Sequence, residues 1–249
     1  MEKFRNIKLT IAYDGTNYYG WQRQKDKPTV AGMLESAIFK VCKERVKILG
    51  AGRIDKGAHA LAFVATFKTI SNIPILNIKN ALNSFLPYDI IIKDISEVGL
   101  SFNPRHCKEK RYRYIVLNDS CKSPMFLRYS YFFPKFLDIE MMRKAANVFI
   151  GKKDFSSFVR QDGRNCIREI KSIVISSKMG IFSENLIFFD IAGVSFLYNM
   201  IRCIVATLIR VGSGLLNLDD VSSIILAKDR RFAPWIVPSQ GLFLVGIDY

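Results

Sequence analysis

An α+β fold built from two similar halves is what the chain predicts. Three observations carry that prediction: period-two apolar strands alternate with short amphipathic helices, the strand and helix order nearly repeats in the two halves, and no low-complexity linker interrupts the 249 residues. The 49 % hydrophobic and 12 % aromatic composition is enough to bury a full core, so disorder is excluded as the default.

The elements follow in order. The stretch IKLTIAYDG (7–15) alternates like a strand and ends in an Asp-Gly turn. Residues 29–45 place Val30, Leu34, Ile38 and Val41 at helical spacing. VKILGAG and ALAFVATF (60–67) read as strands flanking a glycine-rich loop, NIKNALNSFLP (77–87) as a helix stopped by Pro87, and DIIIKDI (89–95) as a strand. This half is therefore β-α-β-β-α-β, the split βαβ or ferredoxin-like order.

The second half starts near Arg105 and has its first clear strand in KRYRYIVL (110–117). A helix over 138–150 carries Ile139, Met142, Ala146 and Phe149 on one side. Strands at about 168–176 and 185–193, helices over 196–211 and 218–227, and a final strand in GLFLVGIDY (241–249) complete it. The expected domains are residues 1–104 and 105–249, with mostly antiparallel sheets that join, helices on one face and a cleft between the halves.

Charge narrows the partner. Lys and Arg total 37 against 22 Asp and Glu, a net charge of +15, which suits a polyanion such as a nucleic acid through counterion release. The five cysteines, Cys42, Cys107, Cys121, Cys166 and Cys203, are odd in number and form no C-x-x-C pair, which points to a reducing cytoplasm and to no zinc site. The N-terminus MEKFRNIKLTIAYDG lacks the apolar core of a signal peptide, and the most apolar segment, 193–209, is broken by Asn199 and Arg202, so no membrane association is expected.

The glycine-rich loop is GAGRIDKGAH (50–59). A dinucleotide fingerprint needs a glycine where Asp55 stands and a helix where a strand follows, so that reading fails, and no G-x-x-x-x-G-K-[ST] motif replaces it. What remains is a carboxylate presented on a tight loop between glycines, which from these ten residues alone is also what an ordinary Asx-turn looks like.

Six segments change the balance: YDGTNYYGWQRQ (13–24), AGRIDKGAHA (51–60), KRYRYIV (110–116), DFSSF (154–158), FLYNMIRCIV (196–205) and GLFLVGIDY (241–249). In order and spacing they resemble the TruA family of tRNA pseudouridine synthases nearly end to end. The family loop usually reads A-G-R-T-D-x-G-V-H, whereas this chain has Ile54 and Ala58 in place of the Thr and Val, and it has Asn103-Pro104 where His-Ala is common before Arg105.

The resemblance implies that Asp55 is the catalytic aspartate of a uridine-to-pseudouridine isomerisation, in which the N1–C1′ bond breaks and a C5–C1′ bond forms. Every atom is conserved, so no cofactor, no nucleotide and no metal is implied. It further implies that Arg202 pairs with the aspartate, Tyr112 stacks on the target base, Arg53 helps extrude the nucleotide, and Leu242 packs against the base. The substrate it implies is tRNA at positions 38 to 40 of the anticodon stem-loop, bound across a homodimer. Lys25, Lys27, Lys108, Lys110, Lys152, Lys153, Arg160, Arg164 and Arg168 are candidate phosphate contacts. His59, Tyr114, Trp21 and the tyrosines of TNYYGW are expected to be structural. Two other readings compete: a non-catalytic RNA-binding or chaperone protein on the same scaffold, and a nucleoside or glycoside hydrolase. The second wants a paired carboxylate that these motifs do not offer, Asp14 reading as a turn residue.

Overall fold

A computed structural model describes residues 4–160, 163 and 165–249. Its elements are mixed α and β, and the chain divides into two units, Met1–Lys108 with Leu244–Tyr249, and Glu109–Phe243.

In the first unit the strands are β1 (Arg5–Tyr13), β2 (Leu49–Gly50), β3 (His59–Thr69) and β4 (Ile90–Val98), with helices α1 (Val30–Cys42) and α2 (Ile75–Phe85). Strand β1 lies between β3 and β4, antiparallel to both, and β2 adds to the far side of β3. This is the split βαβ arrangement expected from the order of elements. Alternation does the sorting: Ile7, Leu9, Ile11 and Tyr13 of β1 are buried, as are Phe63 and Phe67 of β3. Val30, Leu34 and Ile38 of α1 are completely buried, as are Ile78 and Leu82 of α2. Val41 drops out of that stripe and Cys42 takes the buried position. Thr29 starts α1 by accepting from the Gly32 N–H, and Lys43 ends it in the left-handed conformation.

The second unit contains β5 (Glu109–Leu117), β6 (Tyr131–Phe132), β7 (Gly151–Asp154), β8 (Ile167–Met179) and β9 (Asn185–Gly193), with α3 (Ile139–Ala146), α4 (Met200–Gly212) and α5 (Leu218–Ala227). Its strands run in the order β5-β9-β8-β7, all antiparallel, with β6 parallel to β5. The DFSSF segment ends β7 and closes a 3-10 turn whose Phe155 and Phe158 join Phe149 in a buried cluster, with ring centroids 5.3 and 5.9 Å apart. The last strand, β10 (Leu242–Asp248), crosses from the second unit into the first and runs beside β3.

The helix expected over 196–211 begins instead at Met200. Asn199 has φ 62° and ψ −2°, a left-handed conformation that no helix interior accommodates, so residues 196–199 approach the helix as a turn. Apolar spacing alone could not show that break. Among the described residues no helix is long and apolar enough to cross a membrane.

Candidate active site

The carboxylate loop is held by one segment of the same unit, the YDGTNYYGW loop. Between β2 and β3, residues 54–58 form a turn in which the Ala58 N–H donates to the Asp55 carbonyl (3.2 Å) and Gly57 adopts φ 76°. The Trp21 N–H donates to the Ile54 carbonyl (3.3 Å), and the Gly57 N–H donates to the Tyr18 carbonyl (3.2 Å). Asp55 is thus bracketed by two backbone hydrogen bonds to the YDGTNYYGW loop. Asp55 itself is half-buried, while Arg53 and Lys56 on either side are exposed.

Two glycines explain why that loop reads as it does. A Cβ on Gly15 would lie 1.9 Å from the Ala58 carbonyl oxygen. A Cβ on Gly20, where φ is already 85°, would lie 2.4 Å from the Ile54 oxygen. Backbone presses directly on backbone at both places, so the carboxylate loop is seated in a cradle that only glycine permits. Below it, Trp21 packs on Phe63 with ring centroids 4.1 Å apart, and β1 carries a bulge between Ile11 and Tyr13 where it reaches the site.

The structural roles expected for neighbouring residues agree with this geometry. Asp14 Oδ1 accepts from the Thr16 N–H (2.9 Å) and hydroxyl (2.6 Å), a turn residue. Buried His59 accepts from the Gly15 N–H at Nδ1 (3.1 Å), with Asp14 Oδ1 3.0 Å from the same atom. Tyr19 lies beneath two ammonium groups, Lys56 at 4.1 Å and Lys27 at 4.9 Å from the ring centroid.

Tyr18 and Asp89 make a contact that the sequence reading did not anticipate. The Tyr18 phenol donates to Asp89 Oδ1 at 2.5 Å, and Asn17 Nδ2 donates to Oδ2 at 3.3 Å. Asp89 sits where β4 begins, and its carbonyl accepts from the Asp14 N–H (2.9 Å), extending the β1–β4 ladder by one pair. Burial and the Asp89 carboxylate together push the Tyr18 phenol well above its ordinary pKa, keeping it a donor. The signal was present as an aspartate at a strand start and a tyrosine near a strand end, but only the antiparallel register brings them together.

In the second unit, Tyr112 of β5 is 8 % exposed and meets the Phe196 ring edge-on at 5.3 Å and 82°. Tyr114 on the same strand face is completely buried and donates to the Pro238 carbonyl (2.6 Å), the core role expected of it. Arg113, on the opposite face, forms a two-pronged pair with Asp190 across the strand (2.7 and 2.9 Å).

Arg202 stands in the first turn of α4 and is half-buried, while its neighbours Ile201 and Cys203–Ile209 are buried. Its Nε donates to the Val237 carbonyl (2.7 Å) and Nη1 to Asn199 Oδ1 (2.9 Å). The Asn199 side chain therefore orients the guanidinium instead of capping the helix. A cation in a first turn opposes the helix dipole at a typical cost of about 0.3–1 kcal/mol, which these two hydrogen bonds offset. Leu242 is 6 % exposed at the start of β10.

Among the candidate phosphate contacts, Lys25, Lys27, Lys108, Lys152 and Arg160 are exposed and Lys110 and Lys153 half-buried. Arg168 is engaged locally, with Nη1 donating to the Asn165 and Ile167 carbonyls. Arg164 lies outside the described residues. Among the described residues no cluster of three His, Cys, Asp or Glu side chains is placed to hold a metal.

The chain matches the family model described as tRNA pseudouridine synthase over residues 9–106 and 145–249. It is 43 % identical to a protein of Caldicellulosiruptor saccharolyticus, over 98 % of this chain and 100 % of the relative, and 42 % identical to one of Acetivibrio thermocellus over the same shares. A relative from Clostridium perfringens is 44 % identical over 98 % of this chain and its own full length. The first two bear the name tRNA pseudouridine synthase A, and the third tRNA pseudouridine synthase A 2.

Proposed function

The chain belongs to the tRNA pseudouridine synthase family, a family of isomerases, and from that premise we propose that it converts uridine to pseudouridine at positions 38, 39 and 40 of the tRNA anticodon stem-loop, with Asp55 as its catalytic carboxylate. The observation that carries the reading is the seating of the Asp55 loop. A half-buried acid fixed between two backbone hydrogen bonds and two glycine contacts is pre-organised for chemistry on a bound group.

The roles follow from the chemistry of each side chain. Asp55 acts ionised, as the group that engages the sugar or base while the glycosidic bond is broken and remade. Arg202, its guanidinium oriented by Val237 and Asn199, is the cation that the family resemblance pairs with this carboxylate. Tyr112 offers a ring face to an extruded uracil, a stacking contact worth about 1–3 kcal/mol per base. Exposed Arg53 occupies the space a flipped nucleotide leaves, and Leu242 contributes apolar packing against the base. Exposed lysines contact tRNA phosphates, positioning the RNA without reading its sequence. The active species is a homodimer with tRNA lying across both subunits, in the cytoplasm.

Site-by-site mapping of pseudouridine by carbodiimide adduct formation, on tRNA treated with pure protein, tests the assignment. Adducts at positions 38–40 are expected. Tight tRNA binding with every uridine unchanged would instead favour a non-catalytic RNA-binding role, and release of free uracil a hydrolase.

A further inference from the structure

We propose that Asp89 is a positioning residue for the reaction, acting through the Tyr18 phenol to fix the backbone on which Asp55 is carried; the proposal rests on the reading of Asp55 as the catalytic carboxylate. The chain of contacts is short and lies within one unit. Asp89 Oδ1 accepts from the Tyr18 phenol (2.5 Å), and the Tyr18 carbonyl accepts from the Gly57 N–H (3.2 Å). Gly57 is two residues from Asp55, and its φ of 76° completes the turn that the Ala58 N–H to Asp55 carbonyl bond closes.

Two features set this link apart from ordinary loop packing. The first is its chemistry and shielding: Tyr18 is only 5 % exposed, and a hydroxyl donating to a carboxylate makes a charge-assisted hydrogen bond, stronger than a neutral one. The second is convergence. The carboxylate takes Tyr18 on one oxygen and Asn17 on the other, while the Asp89 carbonyl takes the Asp14 N–H, so one residue ties three positions of segment 14–18 to the end of the β1–β4 ladder. That segment also carries Gly15, whose Cα lies against Ala58. Loosening the phenol frees the segment to slide against the 54–58 turn, and a misplacement of about 1 Å at a reacting group can cost about a hundredfold in rate.

Four variants test it with tRNA as substrate: Tyr18→Phe, Asp89→Ala, the double variant carrying both, and Asp89→Asn, each with kcat, KM and thermal midpoint measured. Tyr18→Phe removes one oxygen and Asp89→Ala its acceptor, so each is expected to lower kcat by about 10–100-fold with KM for tRNA within about twofold. Because both break the same link, the double variant is expected to be no slower than the slower single. Asp89→Asn, whose amide oxygen still accepts from the phenol, is expected to recover kcat to within about threefold of the parent. Should Asp89→Ala fail to fold, Tyr18→Phe alone decides, since it keeps the ring. Tyr18→Phe with kcat within twofold of the parent, multiplicative losses in the double variant, or a loss confined to KM would overturn the proposal. Asp55→Asn run alongside separates the two readings: an inactive Asp55→Asn with a fully active Tyr18→Phe sinks only the positioning role, whereas an active Asp55→Asn removes the premise.

Discussion

Gly20→Ala is the perturbation whose cost can be worked most directly from the structure. Gly20 has φ 85°, where an L-residue is strained by about 1–2 kcal/mol. The new Cβ would also lie 2.4 Å from the Ile54 carbonyl oxygen, so one of the two backbones must retreat by about 1 Å to reach ordinary contact, and overpacking of this kind costs about 1–3 kcal/mol. Together the destabilisation is about 2–5 kcal/mol, which in a chain of this size lowers the melting midpoint by on the order of 4–20 °C. Because the displaced carbonyl belongs to the residue before Asp55, turnover at a temperature where the variant is folded should fall by roughly a hundredfold. Gly151→Ala is the control, since Gly151 has φ 93° with no atom within 4 Å of an added Cβ. It should show the conformational cost alone and normal turnover. Calorimetry with a tritium-release assay on tRNA labelled at uridine C5 gives both quantities. If Gly20→Ala melted with Gly151→Ala and turned over at the parent rate, the cradle argument would be refuted.

Other expectations follow from the same geometry. Arg202→Lys keeps the charge but cannot reproduce the fork that donates to Val237 and Asn199, so kcat should fall at least about tenfold, whereas parental kcat would show that charge alone suffices. Burial pushes the Cys203 thiol up to about 11 and raises that of Cys42, while Cys121 is exposed. Ellman's reagent at pH 8 should therefore modify Cys121 first and reach Cys42 and Cys203 only on unfolding, so that a Cys121→Ser variant loses the fast phase. The Ser156 hydroxyl and N–H and the nearby Lys228 ammonium hold Asp154 below its ordinary pKa of 3.8. A depressed folded-state pKa contributes stability above the unfolded value and loses it as pH falls. The melting-point advantage of the parent over Asp154→Asn should thus be full above about pH 5 and shrink below about pH 4. An advantage independent of pH would contradict that account.

The elements legible in the chain were those whose signals are local. Helix α5 was read over 218–227, and the structure adds what starts it, a reciprocal capping box between Asn217 and Asp220. Helix α1 showed itself through its apolar repeat, and the Thr29 cap emerges only in the structure. The start of α4 was misread because the left-handed Asn199 leaves no trace in apolar spacing, and its side chain serves Arg202. Two-residue β6 and four-residue β7 exist only because β5 and β8 offer them an edge, and the pairing of β10 with β3 joins residues almost two hundred positions apart. At the site, the family resemblance pointed to Asp55, while what seats its loop was spelled as two glycines and an aspartate, Gly15 having read only as part of a turn and Asp89 as the start of a strand. Gly15, Gly20 and Asp89 acquire meaning only when the turn at 54–58 is laid against them.

The most direct test of the account is turnover by Asp55→Asn on tRNA, measured by tritium release beside a tRNA-binding isotherm. An amide matches the carboxylate in size and keeps the loop's backbone contacts but carries no charge, so binding within about threefold of the parent and no detectable isomerisation are predicted. Isomerisation at the parental rate by that variant would contradict the central claim.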